Sequence, residues 1–350
     1  MKAARLYAPG DIRFEETPTP QPQPGEAIVR IRSVGVCASD LHFYRNGEIG
    51  GQGFTEPALL GHECAGEIAA LGDPAGAHER TGSWKVGDRV AMEPTRPCGV
   101  CDLCCTGHYN ICRKLRFAGQ PPEAGGFCEY LVVPLERLFH LPDALSFEEG
   151  AMVEPVAVAV HAVKLAGVQS GSSVAVLGGG AIGLSILQVA AAYGAGPLFL
   201  SEPLPFRRGL AGRVGATTVI DPTAEDPEEV IRAGTGGAGV DVAFEASGSA
   251  EAPAQCCTWV GSGGTLCLVG IPDEDELVLP ASVIRRREMT IRTVRRYCND
   301  FEEALRLIAF GAVNAKLFTT HHFSLADTDK AFAAAVTQPD EVLRAIVEVP

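Results

Sequence analysis

The sequence predicts an α/β protein of two domains: a doubly wound parallel sheet flanked by helices, and a separate β-rich body. Length is the first reason, because 350 residues exceed what a single core usually holds. The second is a regular alternation of strand and helix from about Gly171 onward, the pattern of a parallel sheet with crossover helices. The third is a different texture before it, where short apolar runs are split by Gly and Pro. Strands are expected at 27–31, 67–71 and 130–133 in the first part. In the second they are expected at 174–177, 198–200, 218–220, 240–245 and 265–270, with an Ala/Leu-rich helix over 182–193. Pro18, Pro20, Pro22 and Pro24 form a short proline-spaced connector. After about residue 290 the pattern is mixed again.

Composition narrows the function. Apolar residues make up 46% and charged residues 21%, ordinary values for a soluble globular protein. There is no long uninterrupted apolar run and no apolar core of a signal peptide behind Met1-Lys2, so a cytoplasmic protein is expected. A net charge of −14, from 43 acidic and 29 basic residues, repels nucleic acid and anionic membranes, and neither is expected as a partner.

Residues 174–177 run into Gly178-Gly179-Gly180-Ala181-Ile182-Gly183, a G-x-G-x-x-G pattern between a strand and a helix. That context is what a dinucleotide needs. Gly178 makes the tight turn, Gly180 lets the backbone approach a pyrophosphate, and Gly183 packs helix on strand. The free N–H groups of the helix start face the anion. Glu202 closes the next strand, where an acid can bind ribose hydroxyls and repel the extra phosphate of NADP. NAD is therefore expected, although Arg207 and Arg208 follow closely.

Twelve cysteines in a reduced compartment need a reason other than disulfides. Cys98-x2-Cys101-x2-Cys104-x7-Cys112 offers four thiolates in one loop, enough to close a zinc tetrahedron. Such a site is structural, and the adjacent Cys105 is surplus. Further donors are dispersed: Cys37 in Cys37-Ala38-Ser39-Asp40-Leu41-His42, His62 and Glu63 in Gly61-His62-Glu63, and Glu154 in Val153-Glu154-Pro155. Spacing alone does not assemble these into a site.

Taken together, in this order along nearly the whole chain, the motifs resemble the medium-chain dehydrogenase/reductase superfamily in its zinc-containing alcohol dehydrogenase branch. Glu154-Pro155-Val156-Ala157-Val158, His161-Ala162 and Arg296-Tyr297-Cys298-Asn299 are most similar to sorbitol (L-iditol) and xylitol dehydrogenases. The resemblance implies a GroES-like catalytic domain over 1–155 and 291–350 and a Rossmann domain over 156–290. It implies a catalytic zinc on Cys37, His62 and Glu63, with Glu154 on the metal or its water and as a substrate contact, and Asp40 orienting His62. It places Ile182, Glu202, Arg207, Val269, Gly270, Ile271, Val294, Arg295 and Arg296 at NAD, beside Gly178, Gly180 and Gly183. Phe43, Arg296 and Tyr297 fall on substrate positions.

The implied reaction passes hydride from a secondary alcohol of a polyol to NAD. Zinc polarises the alcohol, and Ser39 and His42 relay its proton. Two zincs per chain and a homotetramer, or next a dimer, are expected. Phe43 stands where sorbitol dehydrogenases carry a substrate-contacting Tyr, and Arg295 where an apolar aromatic is usual, so sorbitol itself is not the expected substrate. An insertion with Pro74, Gly76 and Gly82 precedes Trp84. L-threonine 3-dehydrogenase and cyclitol dehydrogenases are alternatives within the class; a non-enzymatic NADH-binding protein is the alternative outside it. His78 and His108 have weak claims to function, and His140, His161, His321 and His322 read as structural.

Overall fold

The computed structural model describes residues 1–72 and 83–350; the insertion residues Pro74, Gly76 and Gly82, with His78, lie outside the described residues. The chain divides into two compact units, and each is described by itself.

Pro155–Glu303 with Phe310–Asn314 forms one unit. Its sheet runs Thr218–Ile220, Leu198–Ser201, Val174–Leu177, Val240–Glu245, Val260–Leu268, Thr290–Thr293, every neighbour parallel. The central strands read as continuous apolar runs, VAVL in full and LFL before Ser201, because helices cover both faces of a parallel sheet. Phe199, Ile231, Trp259, Val260 and Leu266 fill one such layer. Connections leave Val174–Leu177 and Val240–Glu245 toward opposite sides, which opens a crevice at their carboxyl ends. The helix expected at 182–193 spans Ala181–Ala192. The fifth strand starts at Val260, earlier than the apolar pattern suggests, because Gly261, Gly263 and Gly264 hide its start. The sixth, Thr290–Thr293, is polar and largely exposed, so periodicity does not reveal it.

Met1–Glu154, with Ala304–Ala309 and Ala315–Pro350, forms the other unit. Among the described residues it holds a seven-stranded sheet, in order Leu138–His140, Arg89–Met92, Glu63–Leu71, Glu26–Gly35, Arg344–Glu348 and Thr319–Ser324, with Tyr130–Pro134 also paired to Glu26–Gly35. The expected strands at 27–31, 67–71 and 130–133 lie inside three of these. Val29, Ile31, Phe127, Leu131, Phe332 and Val347 belong to its buried core. The last strand, Arg344–Glu348, pairs antiparallel with the end of Glu26–Gly35 and so carries Arg344 to the residues that follow Gly35. No helix among the described residues is long and apolar enough to cross a membrane.

Candidate active site

In the unit that begins at Met1, Cys37 is the N-cap of the helix Ala38–Asn46. Its N–H donates to Asp40 Oδ2 at 3.0 Å, and Asp40 Oδ1 lies 3.4 Å from His62 Nδ1. One buried carboxylate thus fixes the Cys37 backbone and the His62 imidazole, and with Nδ1–H turned to it the Nε2 of His62 keeps its lone pair for a metal. Ser39 Oγ sits 3.5 Å from that Nε2. His62 and Glu63 follow Gly61, whose φ is +95°; a Cβ there would stand 2.9 Å from the Phe127 ring, so the position demands glycine. The ligand atoms of Cys37, His62 and Glu63 all lie within 4.8 Å of one another.

These three donors fit a metal ion. Glu63 is fully buried, and neither carboxylate oxygen has an aligned hydrogen bond. Arg344 Nη2 lies 3.1 Å from its Oε1, an ion pair that is close but poorly directed. Burial disfavours charge on His62, yet Asp40 and Cys37 beside it hold its pKa well above the ordinary histidine value. Burial likewise opposes charge on Arg344, and Glu63, Cys37, Glu154 and Asp40 outweigh it. A buried, net anionic hollow with S, N and O donors suits zinc. Glu154 is buried in the first turn of the helix Val153–Leu165, outside the close three-residue set. His42 is half-buried on the Ala38–Asn46 helix. Phe43, on that helix, is a core residue, its ring 6.4 Å from that of Phe54.

The ligand atoms of Cys98, Cys101, Cys104 and Cys112 form a second group within 4.8 Å. The Sγ separations are 3.4 Å for Cys101–Cys104 and 3.9 Å for both Cys98–Cys104 and Cys101–Cys112. A zinc tetrahedron with bonds of about 2.3 Å has edges of about 3.8 Å, so the loop needs little adjustment to close on the ion. Backbone N–H groups of Val100 and Cys101 hold the Cys98 thiol down to about 6, whereas burial and the neighbouring thiols push Cys104 up to about 12. Cys105 is exposed and outside the group.

In the unit that begins at Pro155 the glycine-rich turn is built by close contacts. Gly178 has φ +106°, and a Cβ on it would meet Ala246 C at 2.9 Å; one on Gly183 would stand 1.9 Å from Gly178 O. Gly180 caps the helix Ala181–Ala192 with open space where its side chain would be. Glu202 is 3% exposed, and its carboxylate accepts from Gly179 N at 2.6 Å and Leu204 N at 2.9 Å. Arg208 is tied to Glu202 O and, at 2.6 Å, to Asp221 Oδ2. Arg207 is half-buried with an unpartnered Nε. Ile182, Val269, Gly270 and Val294 are half-buried, while Ile271 and Arg295 are exposed. The N–H groups of Val269 and Gly270 both donate to Glu245 O. Tyr297 is buried and Arg296 half-buried.

Residues 23–143 match the alcohol dehydrogenase GroES-like domain, and residues 181–309 match the zinc-binding dehydrogenase family. The chain belongs to the zinc-containing alcohol dehydrogenases. It is an oxidoreductase with a GroES-like domain and a Rossmann domain. It is 38% identical to sorbitol dehydrogenase of Bacillus subtilis over 347 residues, 99% of this chain and 97% of that protein. It is 34% identical to D-xylulose reductase of Saccharomyces cerevisiae, covering 100% of this chain and 98% of that one. A zinc-binding dehydrogenase from Sinorhizobium meliloti, solved bound to NADP, superposes with a TM-score of 0.89 at 32% identity, covering 99% and 98% of the two chains.

Two residues at these sites are not visible in the sequence pattern. Arg344 pairs with Glu63 from the far end of the chain; its only signal is a cation directly before the apolar run Ala345-Ile346-Val347. Glu245 is buried at the carboxyl end of its strand and accepts from Ser247 N, Ser247 Oγ and Gly248 N, shaping the turn against which Gly178 lies. A carboxylate closing a buried parallel strand is the one clue to it.

Proposed function

We propose that this chain is a zinc-dependent, NAD-linked dehydrogenase acting on a secondary alcohol of a polyol or sugar-like substrate. The observation that carries it is the Cys37–His62–Glu63 set, with His62 and Glu63 buried and Cys37 half-buried, whose three donors leave a fourth position for substrate. A zinc there supplies Lewis acidity that lowers the pKa of a bound alcohol. Asp40 holds the donors in register, and Ser39, beside His62 Nε2, accepts the alcohol proton and passes it toward His42. Glu154 adds a carboxylate to the substrate side of the metal. Cys98, Cys101, Cys104 and Cys112 hold a second, structural zinc, giving two per chain. The unit that carries Cys37 is the catalytic domain, and the unit that carries Gly178 is the nucleotide-binding domain.

NAD binds along the turn Gly178–Gly183, with Ile182, Val269–Ile271 and Val294–Arg296 lining it. Glu202 reads the adenosine ribose and disfavours a 2′-phosphate. Arg208, already bound to Asp221, is not free to welcome that phosphate. Arg296 recognises substrate hydroxyls; Tyr297, which the resemblance places beside it, is fully buried with its ring 6.0 Å from that of Phe301 and acts as packing instead. The sorbitol and D-xylulose enzymes among the relatives support the polyol class.

The test is NADH formation across polyols, threonine and simple secondary alcohols. Turnover of a polyol with NAD above NADP is expected; best turnover of threonine or of 2-propanol refutes the substrate class. Arg296→Ala should lower polyol kcat/KM about tenfold or more, from an unpaired hydroxyl worth about 1–3 kcal/mol, beyond whatever it costs 2-propanol through the contact with NAD. Equal losses on both would assign Arg296 to cofactor or structure.

A further inference from the structure

The turn after Thr290–Thr293 contains two non-glycine residues with left-handed backbone, Arg296 at φ +54° and Asn299 at φ +61°. Asparagine tolerates that region because its short polar side chain can bond to its own backbone. Arginine has no such intrinsic preference, so the surroundings must hold it there.

Asp300 closes the turn and is only 3% exposed. Its Oδ2 accepts from the Cys298 N–H at 3.3 Å and from His161 Nδ1 at 2.8 Å. Its Oδ1 accepts from Lys164 Nζ at 2.8 Å. His161 and Lys164 stand three residues apart on the helix Val153–Leu165, hence on one face. Lys164 also lies 2.6 Å from Glu303 Oε2, and Tyr193 Oη donates to Glu303 Oε1 at 2.5 Å. The clamp is therefore braced from a second direction. His161, Cys298 and Asp300 have metal-ligating chemistry and lie within 4.8 Å of one another. The Lys164 ammonium already neutralises Asp300, however, and leaves little field for a cation.

We infer that Asp300, clamped by His161 and Lys164, is a positioning residue that holds the 296–299 turn in its left-handed form and through it sets the KM for the polyhydroxy substrate. This rests on the assignment of Arg296 to substrate recognition. Asp300 acts through the turn and touches no reacting atom.

The experiment uses the holoenzyme with its best polyol and with 2-propanol. Asp300→Asn and His161→Phe should each raise polyol KM about tenfold, with kcat and the 2-propanol constants within about threefold. His161→Asn, whose amide can donate from near the Nδ1 position, should stay close to wild type. In Arg296→Ala, adding Asp300→Asn should change polyol KM no further, because both changes act on one turn. An unchanged polyol KM in Asp300→Asn and His161→Phe, equal damage to both alcohols, or additive effects in the double variant overturns the inference. If Arg296→Ala harms both alcohols equally, the substrate reading fails, and the coupling in the double variant still decides whether Asp300 acts through Arg296. Should Asp300→Asn not fold, the contrast between His161→Asn and His161→Phe decides the same question: equal KM values in the two would overturn the inference.

Discussion

Glu202→Ala should do more than relax the proposed cofactor choice; it should also destabilise the unit that carries it. The carboxylate is buried and accepts two backbone N–H groups, from Gly179 at 2.6 Å and Leu204 at 2.9 Å. A hydrogen bond to a charged group contributes about 1.5–3 kcal/mol. Alanine removes two of them, and water entering the vacated space recovers part, leaving a cost of about 2–4 kcal/mol. At about 2–4 °C per kcal/mol for a unit of this size, Tm should fall by roughly 4–16 °C. The same variant should lose the proposed NAD preference, since a carboxylate with lone pairs to spare can still accept from ribose hydroxyls in the wild type. Glu202→Gln should not restore stability fully, because its amide accepts from one N–H and turns a donor toward the other. Scanning calorimetry of the apo protein and kcat/KM for NAD and NADP give the two readouts. An unchanged Tm would show that the two amide bonds contribute little. An unchanged NAD-to-NADP ratio would remove Glu202 from the cofactor site.

Cys98→Ser should lower zinc by one equivalent per chain and lower Tm, whereas Cys37→Ser should abolish turnover with little change in Tm; metal analysis beside calorimetry checks both. Gly183→Ala places a Cβ 1.9 Å from Gly178 O, so helix and turn must separate, at about 1–3 kcal/mol and with weakened NADH binding by fluorescence titration. Burial alone would raise the Asp300 pKa, but hydrogen bonds from His161 and Lys164 bring it below the usual value. Its stabilisation is therefore fully present above the unfolded aspartate pKa of about 3.9 and is lost as pH falls through the lower folded value. Asp300→Asn should flatten the acid limb of Tm against pH below about pH 4, and an identical limb in wild type and variant would contradict this.

Much of the molecule was legible because local rules govern it. The parallel strands betray themselves as short apolar runs, and the strand–glycine–helix junction at 174–183 states its own geometry. The four-cysteine loop closes on itself within fifteen residues, so spacing along the chain is nearly spacing in space. Thr290–Thr293 escaped because a polar edge strand has no periodic burial to display.

The sequence by itself determined the chemistry available: which thiols, imidazoles and carboxylates exist, and which glycines permit close backbone approach. Tertiary structure alone decided which of them meet. Cys37 and His62 share the Asp40 carboxylate because a helix N-terminus and a strand start converge, and Arg344 reaches Glu63 only through sheet pairing between distant segments. Likewise, His161 became the partner of Asp300, 139 residues away. The physical reason is common to all three. Burial forces charged and polar groups to find partners, and the choice among partners is made by packing of elements far apart in the chain, which no local pattern records.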